Sequence, residues 1–145
     1  MLKKILCPTD FSESSEKVKN ELKKLSGCNV KEVILLHVLD ERLYSYSYYI
    51  DSFSIDSLNI QGEVQKSIEK KMNAWKKELE KAGLKVKTKI IEGIPFTEII
   101  SFAKENKVTS IMMGHQGHSK VEEMLLGSTA EKVSRKAPVS VILVR

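Results

Sequence analysis

The stretch Ile111-Met-Met-Gly-His-Gln-Gly-His-Ser-Lys-Val-Glu-Glu-Met-Leu-Leu-Gly-Ser-Thr-Ala-Glu131 leads from an apolar segment, through three glycines, into a helix start. Ile111 to Met113 read as the end of a strand. Gly114, Gly117 and Gly127 follow with the spacing G-x2-G-x9-G, and Ser128 and Thr129 come directly after. Ser128-Thr-Ala-Glu131 reads as a capping box that opens a helix. Pro138 then introduces a final strand, Val139 to Val144. Strand, turn, helix and strand make a βαβ unit, which implies a parallel sheet.

The rest of the chain alternates in the same way. Residues 3–7 form a first strand ended by Pro8, and Asp10-Phe-Ser-Glu opens a helix that Ser12 can cap. Its apolar stripe is Val18, Leu22 and Leu25, and Gly27 ends it. Residues 33–39 are almost wholly apolar, as expected of a strand covered on both faces. Ile60, Val64, Ile68, Met72, Trp75, Leu79 and Ala82 recur at helical spacing before Gly83. Val86, Thr88 and Ile90 alternate with Lys85, Lys87 and Lys89, a guarded sheet edge. Pro95 suits the first turn of a helix facing the core through Phe96, Ile99, Ile100 and Ala103. The expected architecture is α/β: an open five-stranded parallel sheet of order 3-2-1-4-5, with helices on both faces. No linker, repeat or low-complexity tract divides residues 1–145, so a single domain is expected.

Bulk composition narrows the function. The chain has 145 residues, 41% hydrophobic and 30% charged, which is ordinary for a soluble globular protein. Its net charge is +5, yet 24 basic residues are interspersed with 19 acidic ones, and no basic run is interleaved with aromatics. Nucleic-acid binding is therefore not expected. Nothing approaches the ~18 apolar residues of a membrane span. Cys7 in an apolar segment and Cys28 beside a turn suggest reduced thiols, and the cytoplasm is the expected location. Residues 43–62 carry all four tyrosines and read as a long loop, either a variable excursion, a partner surface or a flap.

Glycine lets a backbone approach a ligand closely and adopt positive φ. A helix N-terminus offers unpaired amides and partial positive charge, a natural phosphate seat. The glycine spacing alone is explained as well by a turn without any ligand. A second element, Cys7-Pro-Thr-Asp10 at the end of the first strand, adds to it. In an open α/β sheet, ligands bind beyond the carboxyl ends of the strands where the strand order reverses. With order 3-2-1-4-5, Asp10 and Gly114 face each other across that crevice.

These residues resemble the universal stress protein family, and specifically its ATP-binding branch. The likeness runs from Pro8-Thr-Asp10, through His37-Val38 and Glu92-Gly-Ile-Pro95, to the whole glycine motif. It implies ATP as ligand, with adenine near Asp10 and the backbone around Val38, in a binding site that also includes Pro8 and Thr9. Ribose and phosphates would lie against Gly114, Gly117, Gly127, Ser128 and Thr129. A Mg or Mn ion would be held mainly by the phosphates, and no side-chain metal site or catalytic residue is implied. The family also implies a homodimer paired through Val139 to Val144, and an unknown protein partner. Many relatives carry a basic residue between the first two glycines, whereas His115-Gln116 stand here.

Other readings compete. The chain lacks G-x-G-x-x-G after its first strand and lacks G-x-x-x-x-G-K-[ST], so neither a dinucleotide site nor a P-loop is present. Without that lysine, phosphoryl transfer lacks a large electrostatic contribution, and hydrolysis is expected to be slow at most. His115-Gln-Gly-His118 spells the H-x-G-H of nucleotidyltransferases, but follows the fourth strand rather than the first. That transferase and a non-binding structural dimer are the alternatives to a nucleotide-dependent switch. A metal set of His115, His118 and Glu122 lacks a completing ligand. Cys7 and Trp75 read as core, and His37 as a hydrogen-bonded structural histidine.

Overall fold

The computed structural model describes residues 1–42, 57–117 and 126–145. The tyrosines at 44–49 and the positions of His118, Lys120 and Glu122 lie outside the described residues. Five strands and four long helices alternate among the described residues: β1 (Lys4–Pro8), α1 (Glu13–Lys24), β2 (Glu32–Asp40), α2 (Ser57–Lys81), β3 (Val86–Gly93), α3 (Pro95–Glu105), β4 (Ser110–Gly114), α4 (Ser128–Lys136) and β5 (Ser140–Val144). All strand pairs are parallel, in the order β3-β2-β1-β4-β5. The expected α/β architecture and strand order are those observed.

Strand residues alternate between two cores because successive side chains leave opposite faces of a sheet. Ile5, Cys7, Val33 and Leu35 meet Val18 and Leu22 of α1 and Met72, Trp75 and Leu79 of α2. Leu6, Ile34 and Leu36 meet Ile99 and Ala103 of α3 and Ala130 and Val133 of α4. Burying each such aliphatic side chain contributes about 1.5–3 kcal/mol, so these layers outweigh any surface ion pair. Burial also pushes the Cys7 thiol up to about 12, which leaves it an inert core group.

Local chemistry explains most boundaries. Ser12 caps α1, its hydroxyl accepting from the Ser15 amide at 3.3 Å. Gly27 follows that helix at φ +84°. Lys85 and Lys87 guard the β3 edge and reach Glu32 at 4.0 and 3.4 Å.

Three expectations need correction. α2 begins at Ser57, so the later part of the expected 43–62 loop is helix. Residues 57–61 contain no Gly or Pro, and a helix anchored by Met72, Trp75 and Leu79 extends through Gly62 at a cost of about 1 kcal/mol. Pro8 is the last residue of β1 rather than its terminator, in register with Leu36. Finally, Ser128 is the first helical residue of α4, not its cap. Gly127 takes the extended cap conformation (φ −66°, ψ 154°) and, lacking a side chain, makes no cap hydrogen bond of its own. Among the described residues no helix is long and apolar enough to cross a membrane.

Candidate functional site

The crevice has a local cause. The Thr9 amide donates to the Leu36 carbonyl at 2.9 Å, on the β2 side. The nitrogen of Pro8, one residue earlier, therefore faces β4 and has no hydrogen to donate there. Register between β1 and β4 is confined to Ile5↔Ser110 and Leu6↔Ile111. Beyond these pairs the two strands leave space at their carboxyl ends.

A cleft of about 790 Å³ occupies that space, within the range of small-molecule sites. Pro8, Thr9, Asp10, Val38, Gly114, Gly117, Gly127, Ser128 and Thr129 all line it. Four separate segments thus supply the nine residues named from the sequence.

The β1 end is pinned by a dense polar turn. Asp10 Oδ1 accepts from the Ser12 amide at 3.0 Å and from the Ser15 hydroxyl at 2.9 Å. Thr9 Oγ1 accepts from the Phe11 amide at 3.1 Å. His37 Nδ1 lies 2.8 Å from the Thr9 carbonyl, so that nitrogen carries the proton, since a carbonyl only accepts. The structural role expected for His37 is the one observed.

Phe11 was not singled out by the sequence, yet it shapes the cleft. It sits at φ +60°, a costly conformation for an aromatic residue. Its ring stacks on His37 at 5.4 Å and meets Trp75 edge-on at 5.3 Å. The Lys71 ammonium lies 5.5 Å above the ring. Asp40 and Arg42 line the cleft as well, also without a sequence signal. Arg42 grips Asp40 through two bonds of 2.9 and 2.7 Å, and this hydrogen bonding lowers the Asp40 carboxyl below its ordinary value despite partial burial.

The three glycines also answer to the protein's own packing. None of them has positive φ. A side chain at Gly114 would collide with Ser14 of α1. One at Gly117 would stand 2.9 Å from Asp10 Oδ2, and one at Gly127 would stand 3.2–3.4 Å from the backbone of residues 115–117. The Gly127 amide donates to the His115 carbonyl at 2.6 Å. Gly114 must be small whether or not a ligand binds, and the contact of Gly127 with residues 115–117 brings the loop after β4 against the N-terminus of α4. Substituting valine at Gly127 would therefore disturb the loop as well as the cleft.

The transferase alternative needs a histidine facing the cleft. His115 is not among the lining residues, although Gly114 and Gln116 on either side are. Its Nδ1 lies 3.1 Å from the Val144 carbonyl. Among the described residues no group of three His, Cys, Asp or Glu side chains is placed to hold a metal ion.

Comparison with known proteins follows the same lines. The universal stress protein family profile matches residues 1–145. Universal stress protein MJ0577 of Methanocaldococcus jannaschii is 37% identical over 155 aligned residues, spanning 100% of this chain and 96% of that protein. The solved structure of MJ0577 matches with a TM-score of 0.88 at 39% identity, covering 99% of this chain and 96% of that one. More distant structures share the fold. A universal stress protein in complex with cAMP matches at TM-score 0.69 and 19% identity, over 99% of this chain and 97% of its own. One from Archaeoglobus fulgidus in complex with dAMP matches at TM-score 0.64 and 17% identity, over the full length of both chains.

Proposed function

The chain belongs to the universal stress protein family, and from that premise we propose that it binds ATP in this cleft and acts as a nucleotide-dependent regulatory protein. Adenine lies against Pro8, Thr9, Asp10 and the backbone of Val38. Ribose and phosphates lie against Gly114, Gly117, Gly127, Ser128 and Thr129. The observation that carries the reading is the N-terminus of α4, with Gly127 as its cap residue, opening onto the same cleft as Asp10 and Val38. The amides of a helix's first turn and its positive dipole end suit phosphate. An adenine nucleotide is also the class of ligand held by the two more distant proteins with cAMP and dAMP.

The described side chains supply no ready-made metal cage. A bound Mg or Mn ion would take most of its ligands from phosphate and water, with the hydroxyls of Ser128 and Thr129 nearest in type, and would neutralise phosphate charge. Turnover is slow, because the described cations of the cleft already have partners within it: Arg42 pairs with Asp40, and Lys71 lies over Phe11.

Calorimetry with ATP and Mg tests the reading, together with mass spectrometry of small molecules released from the purified protein. Saturable binding or released ATP is expected, with kcat far below the ~10 s⁻¹ typical of enzymes. An adenylylated product would favour the transferase. Absence of ATP by both methods would leave the structural dimer.

A further inference from the structure

We infer that His115 is a positioning residue, whose ring ties the cleft-facing glycine loop to the end of the edge strand β5 and thereby sets nucleotide affinity. The inference rests on the nucleotide reading of the cleft.

His115 follows β4 directly and makes attachments in three directions. Its backbone amide donates to the Val144 carbonyl at 3.1 Å, and its ring Nδ1 lies 3.1 Å from the same oxygen. The carbonyl cannot donate, so Nδ1 bears the hydrogen. That hydrogen is shared with Ser14 Oγ of α1, 3.4 Å away. Ser14 Oγ also accepts from the Gln116 amide at 3.4 Å. On the other side, the His115 carbonyl accepts from the amide of Gly127, the cap residue of α4. One residue thus joins β5, α1 and α4, while the residues on either side of it line the cleft.

This arrangement explains a histidine that the H-x-G-H reading would aim at phosphate. The ring does not touch the ligand. It holds Gly114, Gln116 and Gly127 in place, so that less loop ordering is left to be done on binding.

The test compares wild type, His115→Phe and His115→Asn by calorimetry with ATP and Mg. Phenylalanine keeps the ring but cannot donate. Asparagine places an amide N–H where Nδ1 stood. Losing one such hydrogen bond should weaken binding roughly three- to tenfold in the Phe variant, and the Asn variant should recover wild-type affinity within about twofold. A residue acting only through its bulk would give the reverse order. Wild-type affinity in the Phe variant, or an Asn variant as weak as Phe, overturns the inference alone. No binding by the wild type overturns the nucleotide reading and this inference with it. If the Phe variant fails to fold, amide exchange in the wild type decides. Stronger protection of the His115 amide with ATP supports the tie, and unchanged protection overturns it.

Discussion

A Cβ on Gly114 would stand 2.8 Å from Ser14 Cβ, closer than real Cβ atoms approach, and a tight 3.0 Å from the Ser14 carbonyl carbon. The first glycine of the motif is thus fixed by the packing of α1 on the end of β4, with or without a ligand. Gly114→Ala should destabilise the protein by about 1–3 kcal/mol, as overpacked sites do. Ser14→Gly should restore part of that loss in the double variant, because it removes the nearest atoms. Urea denaturation of the two single variants and the double measures the coupling. Additive effects would show that the two positions do not collide.

Phe11 offers a second test, since its backbone and ring pull in opposite directions. At φ +60° any side chain costs about 1–2 kcal/mol relative to glycine. Phe11→Ala loses the contacts with His37 and Trp75 and keeps that cost. Phe11→Gly loses the same contacts but relieves it. The glycine variant should therefore unfold at higher urea than the alanine variant, the reverse of the usual order. An alanine variant that is the more stable would mean that the positive φ stores no strain.

The ion pairs between α1 and α2 predict a pH dependence. Hydrogen bonds from Lys19 and then Lys23 hold the Glu78 carboxyl below its ordinary 4.5. Burial alone pulls the Lys19 ammonium down, but hydrogen bonds to Glu16 and Glu78 outweigh it and hold the group above 10.5. A lowered carboxylate stabilises fully above its unfolded pKa and loses that contribution as pH falls through the folded value. A raised ammonium stabilises fully below its unfolded pKa and loses its contribution as pH rises through the folded value. Glu78 is partly exposed, which discounts the pair, whereas Lys19 is almost wholly buried. Glu78→Gln should cost about 1 kcal/mol at pH 7. That difference should shrink as pH drops below 4.5. Denaturation at pH 7 and pH 3 checks it, and an equal deficit at both would remove Glu78 as the source.

How much of this was legible in the sequence depended on whether the cause was local. The apolar run at 33–39 announced the burial of 33–36 but not that 37–39 stay half-buried, the stripe Met72, Trp75, Leu79 announced its own burial, and the parallel sheet followed from the βαβ pattern. The residues that line the cleft could be named because they sit at strand ends and at one helix start. The packing of Gly114 against α1 could not, since Ser14 lies 100 residues from Gly114 in sequence, and only the folded chain brings them together. Phe11 was missed for the same reason, because its partners His37 and Trp75 come from other elements. The capping box was displaced by one residue. Ser128 and Glu131 have the right spacing, but Gly127 meets the His115 carbonyl and takes the extended conformation first.

The last prediction is a homodimer paired through β5. This strand lies at one edge of the sheet, bonded to β4 on one side and to no other strand among the described residues. Its exposed positions are Ser140 and Leu143, the latter 36% exposed, and no lysine guards it as Lys85 and Lys87 guard β3. Such an edge is a template for pairing, and a two-fold axis through two copies would satisfy both sets of backbone groups. Val141 packs against the α3–α4 core and Ile142 against the α1–α2 core, so charges at either would damage the fold before they tested the edge. Leu143→Lys is the cleaner variant. It should weaken dimerisation by about tenfold or more while leaving the circular dichroism of the subunit unchanged. Sedimentation equilibrium of the wild type at micromolar concentration should give twice the 16.4 kDa chain mass. A wild type that sediments as one chain would leave the exposed Leu143 edge unpaired and end the dimer reading. A dimer undisturbed by Leu143→Lys would move the interface to another surface.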